Sequence, residues 1–141
     1  VVPTLAAWVA DEWGAVLPDV TFADLVTRFE AATMPGRIPE TFVAQESGRP
    51  IGMASIVAQD MATRPDLSPW LASVYVIPEA RRRGVGSALV RRAMDAMPTL
   101  RIARLYLFTP DQVAFYRRLG WEPLERTRYR GEDVQIMVFE A

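Results

Sequence analysis

The 141 residues contain no cysteine, no histidine, no lysine and no asparagine. Without cysteine there can be no disulfide and no thiolate nucleophile, and the further loss of histidine removes the commonest zinc ligands, so metal catalysis is not expected. Histidine is also the usual general base near neutral pH; proton transfer must fall to carboxylates, tyrosine, backbone or water. All 16 basic residues are arginine, and they are balanced to a net charge of −1, which offers no basic surface for nucleic acid. No apolar run approaches the roughly 18 residues of a membrane span. No basic segment followed by an apolar one opens the chain, so a soluble, cytoplasmic protein without a membrane or nucleic-acid partner is expected.

What is present is apolar material in quantity. Half the residues are hydrophobic and mean hydropathy is close to zero, enough to bury a core, and the length suits one domain. Apolar residues at Leu5, Trp8, Val9 and Trp13 fall at helical spacing over residues 5–17. A second helix is expected after Thr21, which can cap it, with Phe22, Leu25, Val26 and Phe29 as its stripe. Two short strands, 41–45 and 51–58, flank a turn at Glu46 to Pro50 and read as a hairpin. After a loop over 59–69 comes an apolar, β-branched strand, 71–77, stopped by Pro78. Val85, Leu89, Ala93 and Met97 then recur every fourth residue and mark an amphipathic helix ending near Pro98. A strand over 102–108, a helix over 111–119 closed by Gly120, and strands 122–129 and 133–139 complete the order. Hairpins mixed with one strand-helix-strand crossover predict an α+β, or mixed α/β, domain. Its sheet should be mostly antiparallel with one parallel pair.

The segment with the clearest chemistry is Arg81-Arg82-Arg83-Gly84-Val85-Gly86-Ser87, where the central strand turns into the amphipathic helix. The first amides of a helix have no partner within it and the helix dipole adds partial positive charge there, so the junction is an anion site. Gly84 and Gly86 let backbone approach phosphate oxygens, and arginine adds a fork suited to them. A P-loop is excluded by the absence of lysine, and the dinucleotide fingerprint by Leu89 where a small residue belongs.

Arg81, Gly84 and Gly86 instead match the acetyl-coenzyme A motif of the GNAT superfamily of N-acetyltransferases: Arg or Gln, two residues, Gly, one residue, Gly or Ala. Val76-Ile77-Pro78 is similar to the end of that family's fourth strand, and Phe115-Tyr116-Arg117-Arg118-Leu119-Gly120-Trp121 resembles its Phe-Tyr-x-x-x-Gly-Phe/Trp segment. The resemblance covers about 41–139 and implies one N-acetyltransferase domain over 1–141, with about four helices and a parallel strand pair splayed around acetyl-CoA. It departs at the helix after the fifth strand, where the family often carries Asn and this chain has Thr109, Asp111 and Gln112.

The resemblance further implies that amides of Arg82 to Ser87 hold the pyrophosphate and that Val74 and Val76 pair with the pantetheine arm as an added strand would. The Val76 amide would polarise the thioester carbonyl, and Tyr116 would protonate the departing thiolate. Without cysteine, transfer to a small-molecule or peptide amine is expected to be direct, in a ternary complex. Glu46, Asp60 and Glu12 remain open as the base, and Trp13, Phe22, Trp70 and Tyr129 as walls of the acceptor pocket. A non-catalytic acyl-CoA-binding domain and transfer of a larger acyl group are the alternatives; a homodimer is left open.

Overall fold

A computed structural model of the protein describes residues 2–13 and 37–141. Helix α1 (Val2–Trp13) precedes strands β1 (Glu40–Glu46), β2 (Arg49–Val57) and β3 (Trp70–Val76). A 3-10 turn (Pro78–Ala80) leads into α2 (Val85–Ala96), followed by β4 (Arg104–Thr109), α3 (Val113–Arg118), β5 (Glu122–Tyr129) and β6 (Glu132–Glu140). The six strands form one mixed sheet in the order β1-β2-β3-β4-β6-β5, and only the β3–β4 pair is parallel. The expected α+β class and every strand are found. Three of the expected four helices are described; the helix expected after Thr21 lies outside the described residues.

Alternation along the strands divides the apolar residues between two faces. On one face Phe42, Ala54, Ile56, Leu105, Leu107 and Met137 pack with Leu89, Val90 and Ala93 of α2 and with Tyr116 of α3. On the other, Val43, Met53 and Tyr75 meet Leu5, Ala6 and Val9 of α1. Beside them Trp70, Tyr106, Phe108 and Ile136 lie under Met61 and Leu67 of the long loop between β2 and β3. Arg64 fastens this loop to β5 through Glu125 at 2.8 Å, and Tyr129 accepts the N–H of Ala62 at 3.2 Å.

Two local features shape the centre. Between Met53 and Ser55 the β2–β3 register slips, setting Ser73 and Val74 against Ala54 alone, with Ser73 at φ 55°. Such a bulge bends its strand and ends regular pairing. Here β3 and β4 share one register pair, Trp70 with Tyr106, and the Tyr106 N–H donates to Pro69 O at 3.0 Å. Beyond it the parallel strands part. The second feature is Gly52. A Cβ there would stand 2.9 Å from Leu89 Cδ1 and 3.0 Å from Tyr75 O, so this glycine lets α2 lie directly on β2.

Helix α3 is shorter than the 111–119 expected, because a turn closed by Thr109 precedes it. Buried Thr109 accepts the N–H of Gln112 through Oγ1 at 3.0 Å, which holds residues 109–112 out of the helix. Its end is as expected: Gly120 sits at φ 101°, and the N–H groups of Gly120 and Trp121 return to Arg117 O and Tyr116 O.

Candidate active site

The junction of β3 with α2 is built as an anion cradle. The first helical hydrogen bond of α2 runs from Ala88 N–H to Gly84 O at 3.0 Å, so the N–H groups of Val85, Gly86 and Ser87 precede it and have no partner within the helix. Gly84 turns the chain into the helix at φ 80°, ψ 7°, a conformation costly for any residue with a Cβ, and the space around it is open. A Cβ on Gly86 would lie 3.8 Å from both Val76 Cγ2 and Phe115 Cζ. Three elements therefore converge on Gly86: the end of β3, the start of α2 and the inner side of α3. A longer side chain at this position would have to extend past Val76 and Phe115.

Val76 turns its backbone away from β2. Ile77 donates its N–H to Ile51 O of β2 at 2.9 Å. Successive residues of a strand direct their hydrogen-bonding groups to opposite sides, so Val76 directs its own toward the side where β4 has parted. Its carbonyl is met by Arg81, whose Nε donates to Val76 O at 2.8 Å. Val74 is the second residue of the bulge, half-buried in the same cluster as Val76.

The three arginines differ in what they touch. Arg81 is bound to β3, and its guanidinium lies 5.6 Å from the centre of the Tyr75 ring. Arg83 donates to the carboxylate of Glu46 at the end of β1. Across the same hairpin, Arg49 pairs with Glu79 of the 3-10 turn at 3.0 Å. The Glu79 carboxyl is held below its ordinary pKa by its own backbone N–H and then by Arg49. Two ion pairs of opposite polarity thus tie the β1–β2 turn to the cradle loop. Arg82, at φ 63°, has no hydrogen bond or ion pair among the described residues.

Tyr116 lies on the inner side of α3, 9% exposed, edge-on to Phe115 at 5.0 Å and to Trp121 at 6.1 Å. Burial pushes its hydroxyl pKa up to about 12, so the phenol keeps its proton throughout the physiological range. Trp121 is 2% exposed, and its Nε1 is a buried donor without a partner among the described residues.

A family model for the acetyltransferase (GNAT) family matches residues 2–121, spanning both the cradle and the α3 segment. The chain belongs to this family. Among solved structures, this GNAT chain is similar to a ribosomal-protein-alanine N-acetyltransferase from Brucella melitensis, at TM-score 0.75 and 20% identity, covering 100% of this chain and 96% of the other. A putative acetyltransferase from Salmonella typhimurium with its cofactor acetyl-CoA aligns at TM-score 0.72 and 20% identity over 99% and 90% of the two chains. A phosphinothricin acetyltransferase from Sinorhizobium meliloti in complex with acetyl-CoA aligns at 0.72 and 22%, over 98% and 84%. These likenesses concern the fold. A search of curated proteins finds no match.

The expected acceptor-side residues fare unevenly. Trp70 is fully buried and donates through Nε1 to Leu67 O at 2.7 Å, so among the described residues it closes the core under the β2–β3 loop. Tyr129 is half-buried, with its ring 5.4 Å from Phe108 and its hydroxyl accepting from Ala62. Phe22 and the side chains of Trp13 and Glu12 lie outside the described residues. Glu46 is held by Arg83 at the cradle rim; Asp60 lies half-buried on the loop. Sequence reasoning missed Gly52, the bulge at Ser73 and the hairpin clamp. A glycine inside an apolar strand was the available signal for the first, since it marks close backbone approach.

Proposed function

We propose that the protein transfers an acetyl group from acetyl-CoA to a primary amine by direct attack in a ternary complex. The observation that carries this reading is the junction itself: a strand parted from its parallel neighbour leads through a 3-10 turn and a short loop into a helix whose first amides have no partner within it. The residues present fit acetyl-CoA, because Gly86 places no side chain between the helix start and Val76 and Phe115, and the backbone of Val76 faces the gap. When bound, acetyl-CoA supplies the activated acetyl thioester.

The chain's own residues divide the remaining work. Amides of Arg82 to Ser87 hold the diphosphate, with the α2 dipole adding to them. Val74 and Val76 offer backbone groups to the arm, and the Val76 N–H is placed to stabilise negative charge on the carbonyl oxygen. Tyr116 holds a proton at Oη for the sulfur. With the hydroxyl near pKa 12 and an ordinary thiol near about 8.5, full transfer to the thiolate is uphill, so Tyr116 acts chiefly by donating a hydrogen bond to the sulfur as negative charge develops on it. No nucleophilic cysteine exists for a covalent acyl-enzyme, which favours direct attack.

The acceptor is a small-molecule or peptide amine. Release of free thiol from acetyl-CoA, measured across a panel of amines and N-terminal peptides, tests the reading. Amine-dependent release supports it. Tight binding of acetyl-CoA with no release on any acceptor would make the chain a binding module instead.

A further inference from the structure

The run Arg81-Arg82-Arg83 reads as one block of positive charge facing phosphate, yet its members are committed differently. Arg81 is fixed at every point the structure records. Its N–H closes the 3-10 turn onto Pro78 O at 3.3 Å, its Nε donates to Val76 O at 2.8 Å, and its guanidinium lies over Tyr75. The Tyr75 ring in turn packs on Trp8 of α1, centroids 5.3 Å apart. Arg83 is paired with Glu46, whereas Arg82 carries no such bond among the described residues.

We infer that Arg81 is a positioning residue, which sets the cradle by geometry rather than charge: it pins the end of β3 to the first residue of the loop, leaving Arg82 to meet the diphosphate. The inference rests on the proposed use of this junction for coenzyme A. Its physical basis is the turn itself. Between Val76 and Gly84 the chain must reverse out of the sheet and enter α2, passing through left-handed backbone at Arg82 and Gly84. Such a path holds its shape only when its neighbours are fixed. The Arg81 Nε–H bond to Val76 O closes the base of that path, and stacking on Tyr75 keeps the planar group from swinging away. The same bond orients the Val76 peptide groups, the strand positions nearest the parted gap.

The prediction separates geometry from charge because side-chain lengths differ. A glutamine places its amide Nε2–H at the reach of the arginine Nε and carries no charge; a lysine keeps the charge, but at that reach it has only a methylene. Titration calorimetry of the full chain with coenzyme A and with acetyl-CoA should find Arg81→Ala weakened about tenfold, as for loss of one charge-assisted hydrogen bond. Arg81→Gln should recover to within about threefold of the unaltered chain, while Arg81→Lys should stay near the alanine value. Raising sodium chloride should weaken the unaltered chain and Arg81→Gln in parallel, and Arg82→Gln should show a shallower salt dependence. Recovery by lysine with failure of glutamine would make Arg81 a phosphate contact and overturn the inference. Equal affinity in all the Arg81 variants would also overturn it. If the unaltered chain binds neither ligand, the functional reading itself falls and takes this inference with it, an outcome visible before any variant is compared.

Discussion

The two faces of the sheet are built on different principles. On the face carrying α2 and α3, the candidate site is made largely of main chain: free amides, a strand turned toward a gap, and a glycine at 52 that lets α2 lie directly on β2. On the face carrying α1 and the β2–β3 loop, side chains fill the space, with Trp70, Tyr106, Phe108 and Tyr129 packed edge to face or tilted beneath a loop pinned by Arg64. Main-chain recognition suits a ligand common to a whole family, because it asks only for a backbone shape.

The largest effect should come from blocking the main-chain side. Gly86→Arg directs a long side chain between Val76 and Phe115 and should abolish acetyl-CoA binding, by at least about 100-fold in calorimetry. The melting temperature should stay near that of the unaltered chain, since a Cβ at this position meets neighbours only at 3.8 Å. Normal affinity in this variant would place the coenzyme elsewhere.

Next is Tyr116→Phe, which should lower turnover about 10- to 100-fold, the low end for a proton donor because a thiolate leaves readily. Cofactor affinity should change by less than about threefold. The same variant has a signature in stability. The hydroxyl pKa is raised from 10.0 in the unfolded chain to about 12 in the fold. The neutral form is therefore the one the fold prefers; that contribution is complete below pH 10 and is lost as pH rises toward 12. Denaturant unfolding should show the unaltered chain losing roughly 2–3 kcal/mol more than Tyr116→Phe across that window. Parallel curves would mean that the hydroxyl is not buried as described.

Gly52→Ala should cost about 1–3 kcal/mol of stability. Leu89 Cδ1 can move aside, but Tyr75 O is backbone and cannot. Because α2 would be lifted at its N-terminal end, affinity for coenzyme A should fall along with stability. A destabilised variant that still binds normally would uncouple the cradle from the packing of α2.

The smallest effect belongs to the side-chain face. Arg64→Ala removes exposed links to Asp66 and Glu125 and should alter unfolding by less than about 1 kcal/mol. It should leave the KM for acetyl-CoA unchanged. A change confined to acetyl-CoA would erase the contrast between the two faces.

How much of this was legible in the sequence follows the same division. The turn from β3 into α2 could be read because glycine at 84, behind a strand and ahead of an amphipathic helix, reports a backbone requirement directly. The strands and the cap at Gly120 were legible for the same reason. The bulge was not: Ser73 takes its positive φ under the pull of its neighbours, and nothing in its side chain announces it. Trp70 was open to misreading, because a tryptophan that closes a core and one that lines a pocket are the same letter; only its burial and its bond to Leu67 decide between them. The separate duties of the three arginines were hidden too, since partners such as Glu46 and Val76 are set by the fold.

The single rung between β3 and β4 has a consequence for the lifetime of the protein. A sheet interrupted at its centre is a sheet that a ligand can mend: whatever lies along the gap supplies the contacts the two strands do not make with each other. On the proposed reading, acetyl-CoA at about 100 times its dissociation constant would add roughly 2.7 kcal/mol to the folded state by mass action. Resistance to heat and to proteolysis would then rise and fall with the supply of activated acetate.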